Sequence, residues 1–176
     1  MSGGARRCLF SRQDLEERIR ELGARLSQDY AGLNPVLVGV LKGVFIFMAD
    51  LVRALEFPVE VDFVRLRSYG AGTETSGEVN ITKDVEVTLR DRHVLIVEDI
   101  VDTGLTLAFL RAHLASHRPR SLKICCLIDK WERREVEVPL DYVGFPVAEG
   151  FLVGYGLDCG EQQRTLPEIY VLEKLK

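Results

Sequence analysis

The stretch Val94–Gly104 reads VLIVEDIVDTG. It leads from an apolar run to two adjacent carboxylates, Glu98 and Asp99, and then to an Asp-Thr-Gly turn. A continuous Val/Ile/Leu run is typical of a strand that is buried on both faces in a parallel sheet. Ligands collect outside the carboxyl ends of such strands, and a turn over 102–106 that opens a helix would direct amides and hydroxyls at a phosphate. Carboxylates beside a bound anion indicate that a cation or sugar hydroxyls lie between them.

The segments around this stretch alternate between helix and strand patterns. Ser11 and Asp14 resemble a capping box, and apolar residues at helical spacing predict a first helix that ends near Tyr30. The other predicted elements are strands over 36–41, 58–66 and 122–128, short strands within 142–155, a weaker strand or hairpin over 79–89, and helices over 44–55 and 105–114. The side chains of the 58–66 strand expected to face the core are Val59, Val61, Phe63 and Leu66. This alternation predicts an α/β fold with a mostly parallel central sheet and helices on both faces.

The bulk composition limits the class of protein. A chain of 176 residues that is 47% hydrophobic predicts a single domain over residues 1–176. A formal net charge of -4 offers no broad basic surface, so nucleic acid is not an expected partner. Since no apolar run reaches about 18 residues, no membrane association is expected. Four cysteines without CxxC spacing predict reduced thiols in a cytoplasmic protein.

Three other site types are not supported by the sequence. Gly72 and Gly77 have the glycine spacing of a P-loop, but Glu78 follows where a lysine is required. No GxGxxG follows the first predicted strand of the sheet, which argues against a dinucleotide site. His113 and His117 are four residues apart on a predicted helix, but no third ligand is evident, so a metal site is not expected there.

A purely structural role is conceivable for each of the three carboxylates. Glu98 and Asp99 would then form a solvated strand end, and Asp102 would be a helix N-cap that stabilises the fold by about 1 kcal/mol. Three carboxylates within five residues, followed by Thr103, Gly104 and Thr106, form a more specific pattern. This pattern resembles the 5-phosphoribosyl 1-diphosphate motif of the type I phosphoribosyltransferases. The resemblance extends, in the family's order, to four further segments: Leu41-Lys42-Gly43, Ser68-Tyr69, Asp129-Lys130, and Phe151 to Asp158 with Arg164 beyond.

The resemblance implies transfer of a 5-phosphoribosyl group from its diphosphate to N9 of hypoxanthine or guanine, giving IMP or GMP and pyrophosphate. It implies that Asp102 is the catalytic acid or base near purine N7, and that Glu98 and Asp99 position the ribose hydroxyls and one Mg²⁺. It implies a second Mg²⁺ at Asp158. The expected substrate contacts are Thr103, Gly104, Leu105 and Thr106 to the 5′-phosphate, Leu41, Lys42, Gly43 and Arg164 to pyrophosphate, and Lys130, Phe151 and Leu152 to the purine. Ser68 and Tyr69 are expected to begin a flexible loop that covers the reacting centre, with a small hood over the base.

Two alternatives remain open from the sequence. One is an enzyme of the same fold that prefers xanthine or adenine, because Cys159 and Gln163 stand where relatives often have aromatic residues, which leaves the packing above the purine open. Leu105 stands where some relatives carry lysine, but a backbone amide contact to phosphate survives that change. The other is a nucleotide-sensing RNA-binding regulator, which the acidic charge and the presence of Asp102 disfavour. The resemblance otherwise implies only small-molecule partners and assembly as a homodimer or homotetramer.

Overall fold

A computed structural model describes residues 5–68 and 79–172. The elements are β1 (Arg6–Phe10), α1 (Arg12–Asp29), β2 (Val36–Leu41), α2 (Phe45–Arg53), β3 (Glu60–Ser68), β4 (Val79–Lys83), β5 (His93–Val101), α3 (Leu105–Ser116), β6 (Ser121–Lys130), β7 (Tyr142–Val147), β8 (Phe151–Val153) and β9 (Ile169–Leu172). Within these residues the central sheet has the order β4-β3-β2-β5-β6-β7 and is parallel except for β4. The predicted α/β class and mostly parallel sheet are confirmed.

Strand β5 lies in the interior of this sheet because both of its faces are apolar. Leu95 and Val97 pack into the core beneath α1 and α2, whereas Val94 and Ile96 pack into the core beneath α3. β2 pairs with one edge of β5 and β6 with the other. Helices therefore cover both faces, and the residues that follow β2, β5 and β6 emerge at the same edge.

A smaller antiparallel sheet of order β1-β9-β8 brings together the two ends of the described chain. Arg6 pairs with Leu172, and Leu152 of β8 pairs with Val171. Leu152 and Ile169 are buried against the core of the central sheet. β1 and β9 were not predicted from the sequence, because β1 begins with two arginines and the apolar run of β9 is only four residues long.

The predicted inner face of β3 was partly wrong. Val61 is 40% exposed, whereas Asp62 is only 8% exposed and Val64 is fully buried. The Asp62 carboxylate accepts hydrogen bonds from the Glu86 and Val87 amides, at 2.6 and 3.1 Å, and from the Lys83 ammonium at 3.3 Å. An acidic residue thus occupies an inner position because it fixes the connection that follows β4.

Replacing Asp62 by Ala is expected to lower the free energy of unfolding at pH 7 by about 2 kcal/mol, because partly buried donors lose a charged acceptor. Burial alone would raise the pKa of Asp62, but the amide and ammonium hydrogen bonds outweigh it and lower the pKa. The stabilisation is therefore present above the unfolded pKa of about 3.9 and is lost as pH falls through the folded value. Urea unfolding of the wild type and of Asp62→Ala should show that the difference between their free energies of unfolding becomes smaller as the pH is lowered through this range. Val61→Ala is the control, with an expected change within about 0.5 kcal/mol, and an equal loss in both variants would contradict the role of Asp62.

No helix among the described residues is both long and apolar enough to cross a membrane.

Candidate active site

The predicted site segments meet at the carboxyl edge of the central sheet. β5 pairs with β2 through Gly39 and Val97, and with β6 through Val101 and Asp129. The turn 41–43 follows β2, the turn 102–104 follows β5, and Lys130 ends β6. Ser68 is the last residue of β3, which lies beside β2, whereas Tyr69 and the rest of the predicted flexible loop through Ser76 lie outside the described residues.

The turn after β5 opens onto a cavity of about 250 Å³. Gly104 caps α3 with a φ of 85°, in a conformation that favours glycine, and a Cβ there would lie 2.1 Å from the Val136 carbonyl oxygen. The cavity lining includes Glu98, Asp102, Thr103, Gly104 and Thr106. Because this is the N-terminus of a helix, the cavity is suited to an anion. A larger cavity of about 600 Å³ between α1 and α2 contains none of the predicted site residues.

The acidic pair Glu98–Asp99 is buried beside this cavity. Burial and the adjacent Asp99 carboxylate raise the pKa of Glu98, and burial raises the pKa of Asp99. Gly43 packs directly on the pair, since a Cβ at this position would lie 1.7 Å from Asp99 Oδ2. Within the part of the chain that the structure describes, neither carboxylate forms an ion pair. Two buried oxygen donors that lack a cation fit Mg²⁺, which prefers oxygen ligands.

Asp102 and Lys130 face each other across the ends of β5 and β6. Lys130 Nζ lies 3.3 Å from Asp102 Oδ2, and the lysine side chain is 8% exposed. Asp102 Oδ1 is buried and has no hydrogen-bond partner among the described residues. A buried oxygen without a partner is costly, so this atom is available to a bound ligand.

The segment after β8 places Arg164 next to Lys42 of the turn 41–43. Arg164 donates to the Gly156 carbonyl at 2.8 Å and pairs with Asp158 at 2.8 Å. Glu161 bridges the two predicted pyrophosphate ligands, with its carboxylate 2.8 Å from Lys42 Nζ and 3.3 Å from Arg164 Nη2. Lys42 and Arg164 are thus held close together by a carboxylate that sequence analysis did not single out.

The hood residues differ in exposure. Phe151 is 55% exposed, although an aromatic residue in an apolar run is usually a core residue, whereas the neighbouring Leu152 is buried. An exposed ring at the start of β8 is available for stacking on a planar ligand.

Arg134, which was not predicted as a site residue, joins the turn 102–104 to the end of β6. Its Nε donates to the Asp102 carbonyl at 2.9 Å, and its Nη2 donates to the Lys130 carbonyl at 3.1 Å and to the Asp129 carboxylate at 2.5 Å. The amides of Glu135 and Val136 also donate to the Thr103 carbonyl. In the sequence Arg134 is one of several charges in DKWERRE, and nothing local distinguishes it from the exposed Arg133.

Comparisons with known proteins agree on one family. A model of the phosphoribosyl transferase domain matches residues 9–159. A hypoxanthine-guanine phosphoribosyltransferase from Aquifex aeolicus is 46% identical over 166 residues, which cover 94% of this chain and 93% of the relative. The solved structure of a Bacillus anthracis hypoxanthine-guanine phosphoribosyltransferase is 44% identical with a TM-score of 0.90, covering 95% of this chain and 98% of that one. A Trypanosoma cruzi hypoxanthine phosphoribosyl transferase, solved in work on how its C-terminal region affects oligomeric state and activity, is 42% identical with a TM-score of 0.90, covering 98% and 94%.

Proposed function

The chain belongs to the phosphoribosyltransferase family, and we propose that it is a purine salvage enzyme. It transfers the 5-phosphoribosyl group of 5-phosphoribosyl 1-diphosphate to N9 of hypoxanthine or guanine, releasing pyrophosphate and giving IMP or GMP. The observation that carries the proposal is the buried acidic pair Glu98–Asp99 beside a cavity at the N-terminus of α3. That arrangement provides an anion site and a diol or cation site next to each other.

The donor is proposed to bind with its 5′-phosphate in the turn 102–106. The first amides of α3 and the hydroxyls of Thr103 and Thr106 would hold the phosphate oxygens, with Gly104 and Leu105 contributing through their backbone. Glu98 and Asp99 would accept hydrogen bonds from the ribose hydroxyls. The same pair would hold one Mg²⁺, and Asp158 would hold a second. Bound Mg²⁺ would neutralise negative charge on the departing pyrophosphate.

The leaving group is proposed to lie between the turn 41–43 and Arg164. Lys42 and Arg164 would bind the pyrophosphate oxygens, and the Leu41 and Gly43 backbone would line the same turn. Both cations are paired with Glu161 in this structure. An anionic substrate would therefore compete with the Glu161 carboxylate for the two cations. Positive groups at the departing oxygens favour bond cleavage, because negative charge builds up there as oxocarbenium character develops on the ribose.

The purine is proposed to lie against Phe151, with Lys130 donating to the 6-oxo group and the Leu152 backbone meeting the 2-position. Asp102 would handle a proton at N7 while N9 attacks the ribose, since its Oδ1 atom is buried without a partner and its Oδ2 atom lies next to Lys130. A lysine donor matches an oxo acceptor and disfavours the exocyclic amino group of adenine. Ser68 and Tyr69 are proposed to cover the reacting centre.

Nucleotide formation from four purines tests this proposal. Hypoxanthine, guanine, xanthine and adenine are each incubated with 5-phosphoribosyl 1-diphosphate and Mg²⁺, and products are separated by chromatography. IMP and GMP are expected, AMP is not, and omission of Mg²⁺ should abolish turnover. AMP as the dominant product would contradict the 6-oxopurine assignment, XMP as the dominant product would replace the preference for hypoxanthine and guanine, and no product from any purine would overturn the function.

Arg134→Ala is expected to lower kcat/KM about 10²-fold, because the phosphate-facing turn and the end of β6 lose their shared donor and a shift of about 1 Å can cost that much. The values of kcat/KM for the purine and for the donor should fall together, since Arg134 donates to the backbone carbonyls of both Asp102 and Lys130. Arg111→Ala is the control, because it removes an exposed guanidinium on α3 that forms no ion pair within residues 5–68 and 79–172. Arg133 is not suitable, since its Nη1 atom lies 3.6 Å from Asp102 Oδ2. Steady-state kinetics with each substrate varied would check this, and equal effects of the two substitutions would contradict the role of Arg134.

We also propose that the enzyme acts in the cytoplasm, because a polyphosphorylated donor does not cross membranes unaided. Assembly as a homodimer or homotetramer is proposed as well, since the oligomeric state of the T. cruzi relative was a subject of its structural study. Light scattering would measure the oligomeric state of this chain.

A further inference from the structure

Two histidines and one aspartate converge on the outer side of α3, away from the phosphate-facing turn. His113 and His117 lie one turn apart at the C-terminal end of this helix, and Asp84 follows the last residue of β4. One ligand atom from each of the three side chains lies within 4.8 Å of the other two. The sequence shows only the histidine pair, because Asp84 is brought to it by the connection between β4 and β5.

The positions of these groups are close to those of a small coordination shell. His113 Nε2 lies 2.9 Å from one Asp84 oxygen and 3.0 Å from the other. The two imidazole rings are 5.1 Å apart between centroids and meet edge to face. Ligand atoms bound to Zn²⁺ at 2.0–2.1 Å in a tetrahedron lie about 3.4 Å from one another. Small side-chain rotations would therefore bring the three ligand atoms of this cluster to the spacing that a bound Zn²⁺ requires.

A hydrogen bond between Asp84 and His113 does not explain the whole cluster. Among the described residues, the ring of His117 has no hydrogen-bond partner, although it lies beside the other two groups. Partial burial would raise the pKa of Asp84, but hydrogen bonds from the Val85 amide and from His113 outweigh it and lower the pKa. The carboxylate is therefore in its ligating form, and the C-terminal end of a helix favours a cation.

We propose that Asp84, His113 and His117 form a binding site for a divalent cation that prefers imidazole ligands, with Zn²⁺ as the representative ion. The donor set of two imidazoles and one carboxylate suits Zn²⁺ and differs from the all-oxygen environment that Mg²⁺ prefers. The site therefore differs in chemistry from the acidic pair Glu98–Asp99. An ion here would tie the C-terminal end of α3 to the segment that follows β4, and the inference does not depend on the proposed enzymatic function.

Zn²⁺ titration calorimetry on the full chain without a histidine tag tests the proposal. The protein is stripped with a chelator, dialysed, and titrated in excess Mg²⁺ so that oxygen-rich sites are occupied. The chain contains three histidines, so His93 provides a matched control: it lies on β5 with its Nδ1 atom 2.7 Å from Ser121 Oγ, outside the cluster. The variants are His113→Ala, His117→Ala, Asp84→Asn and His93→Ala.

The wild type and His93→Ala should each bind one Zn²⁺ per chain with equal affinity. Each of the three cluster substitutions should weaken binding by at least about tenfold, since even the loss of a group outside the ligand shell can cost that much. Zn²⁺ should also raise the Tm of the wild type and of His93→Ala but not of His117→Ala, because an ion stabilises the folded state that binds it. Failure of the wild type to bind Zn²⁺, or unchanged binding in His113→Ala and His117→Ala, would overturn the proposal.

Discussion

Asp102→Asn is expected to lower kcat about 10²- to 10⁴-fold, the range that general acid–base catalysis contributes. The amide keeps the size of the side chain but cannot accept a proton. Lys130 Nζ lies 3.3 Å from Asp102 Oδ2, and the carbonyl oxygen of asparagine can still accept a hydrogen bond from it, although the negative charge beside Lys130 and Arg133 is lost. Affinity for 5-phosphoribosyl 1-diphosphate should change little, because the proposed phosphate contacts come from the helix N-terminus and the threonine hydroxyls. Steady-state kinetics and calorimetric donor binding measure the two quantities separately.

Asp91→Asn provides the control for this result. Asp91 is exposed and has a φ of 60°, a conformation that asparagine also tolerates, so its kcat should match the wild type. Thermal unfolding of both variants verifies that the fold is intact. Wild-type kcat in Asp102→Asn would remove Asp102 from the reaction, and a loss of donor binding equal to the loss of kcat would assign it to binding instead.

Gly43→Ala is expected to lower kcat/KM by at least about 10²-fold, because it would displace groups of the reacting centre by about 1 Å or more. A Cβ on Gly43 would lie 1.7 Å from Asp99 Oδ2. On its other side Gly43 packs against Gly156, because a Cβ on Gly156 would lie 2.0 Å from the Gly43 carbonyl oxygen. The added methyl group cannot be accommodated unless the turn 41–43 or the acidic pair moves. Both are proposed to hold the donor, so KM for the donor should rise and kcat should fall.

Gly32→Ala is the matched control for this substitution. A Cβ on Gly32 meets nothing within 4 Å, although its φ of 73° makes the substitution strained. It is therefore expected to lower stability while leaving kcat/KM close to the wild-type value. Normal kinetics in Gly43→Ala, or an equal kinetic loss in Gly32→Ala, would contradict the close packing of the turn on Asp99 as a requirement for activity.

The parts of the fold that could be predicted from sequence are those with a local signal. The apolar run before Glu98 identifies β5 as a strand buried on both faces, and Ser11 with Asp14 identifies the start of α1, where the capping box is present. β1 and β9 could not be predicted, since Arg6 pairs with Leu172 at the other end of the chain. The inner position of Asp62 was also missed, because it depends on amides that lie more than twenty residues away.

The same distinction applies to the site. Glu98, Asp99 and Asp102 were predicted to lie together because they follow one buried strand at the carboxyl edge of the sheet, and Lys130 was assigned to the same site by the resemblance to the family. The structure brings Lys130 and Asp102 together at this edge. Their chemical roles remain predictions. Glu161 and Arg134 gave no signal because each looks like an ordinary surface charge, and only tertiary contacts place them against Lys42 and the Asp102 carbonyl.

The most direct test of the account is a crystal structure of the chain with 5-phosphoribosyl 1-diphosphate and Mg²⁺. We expect the 5′-phosphate within hydrogen-bond distance of the amides of residues 103–106, with the ribose hydroxyls on Glu98 and Asp99. A donor bound with its phosphate elsewhere, or with its ribose turned away from the acidic pair, would contradict it.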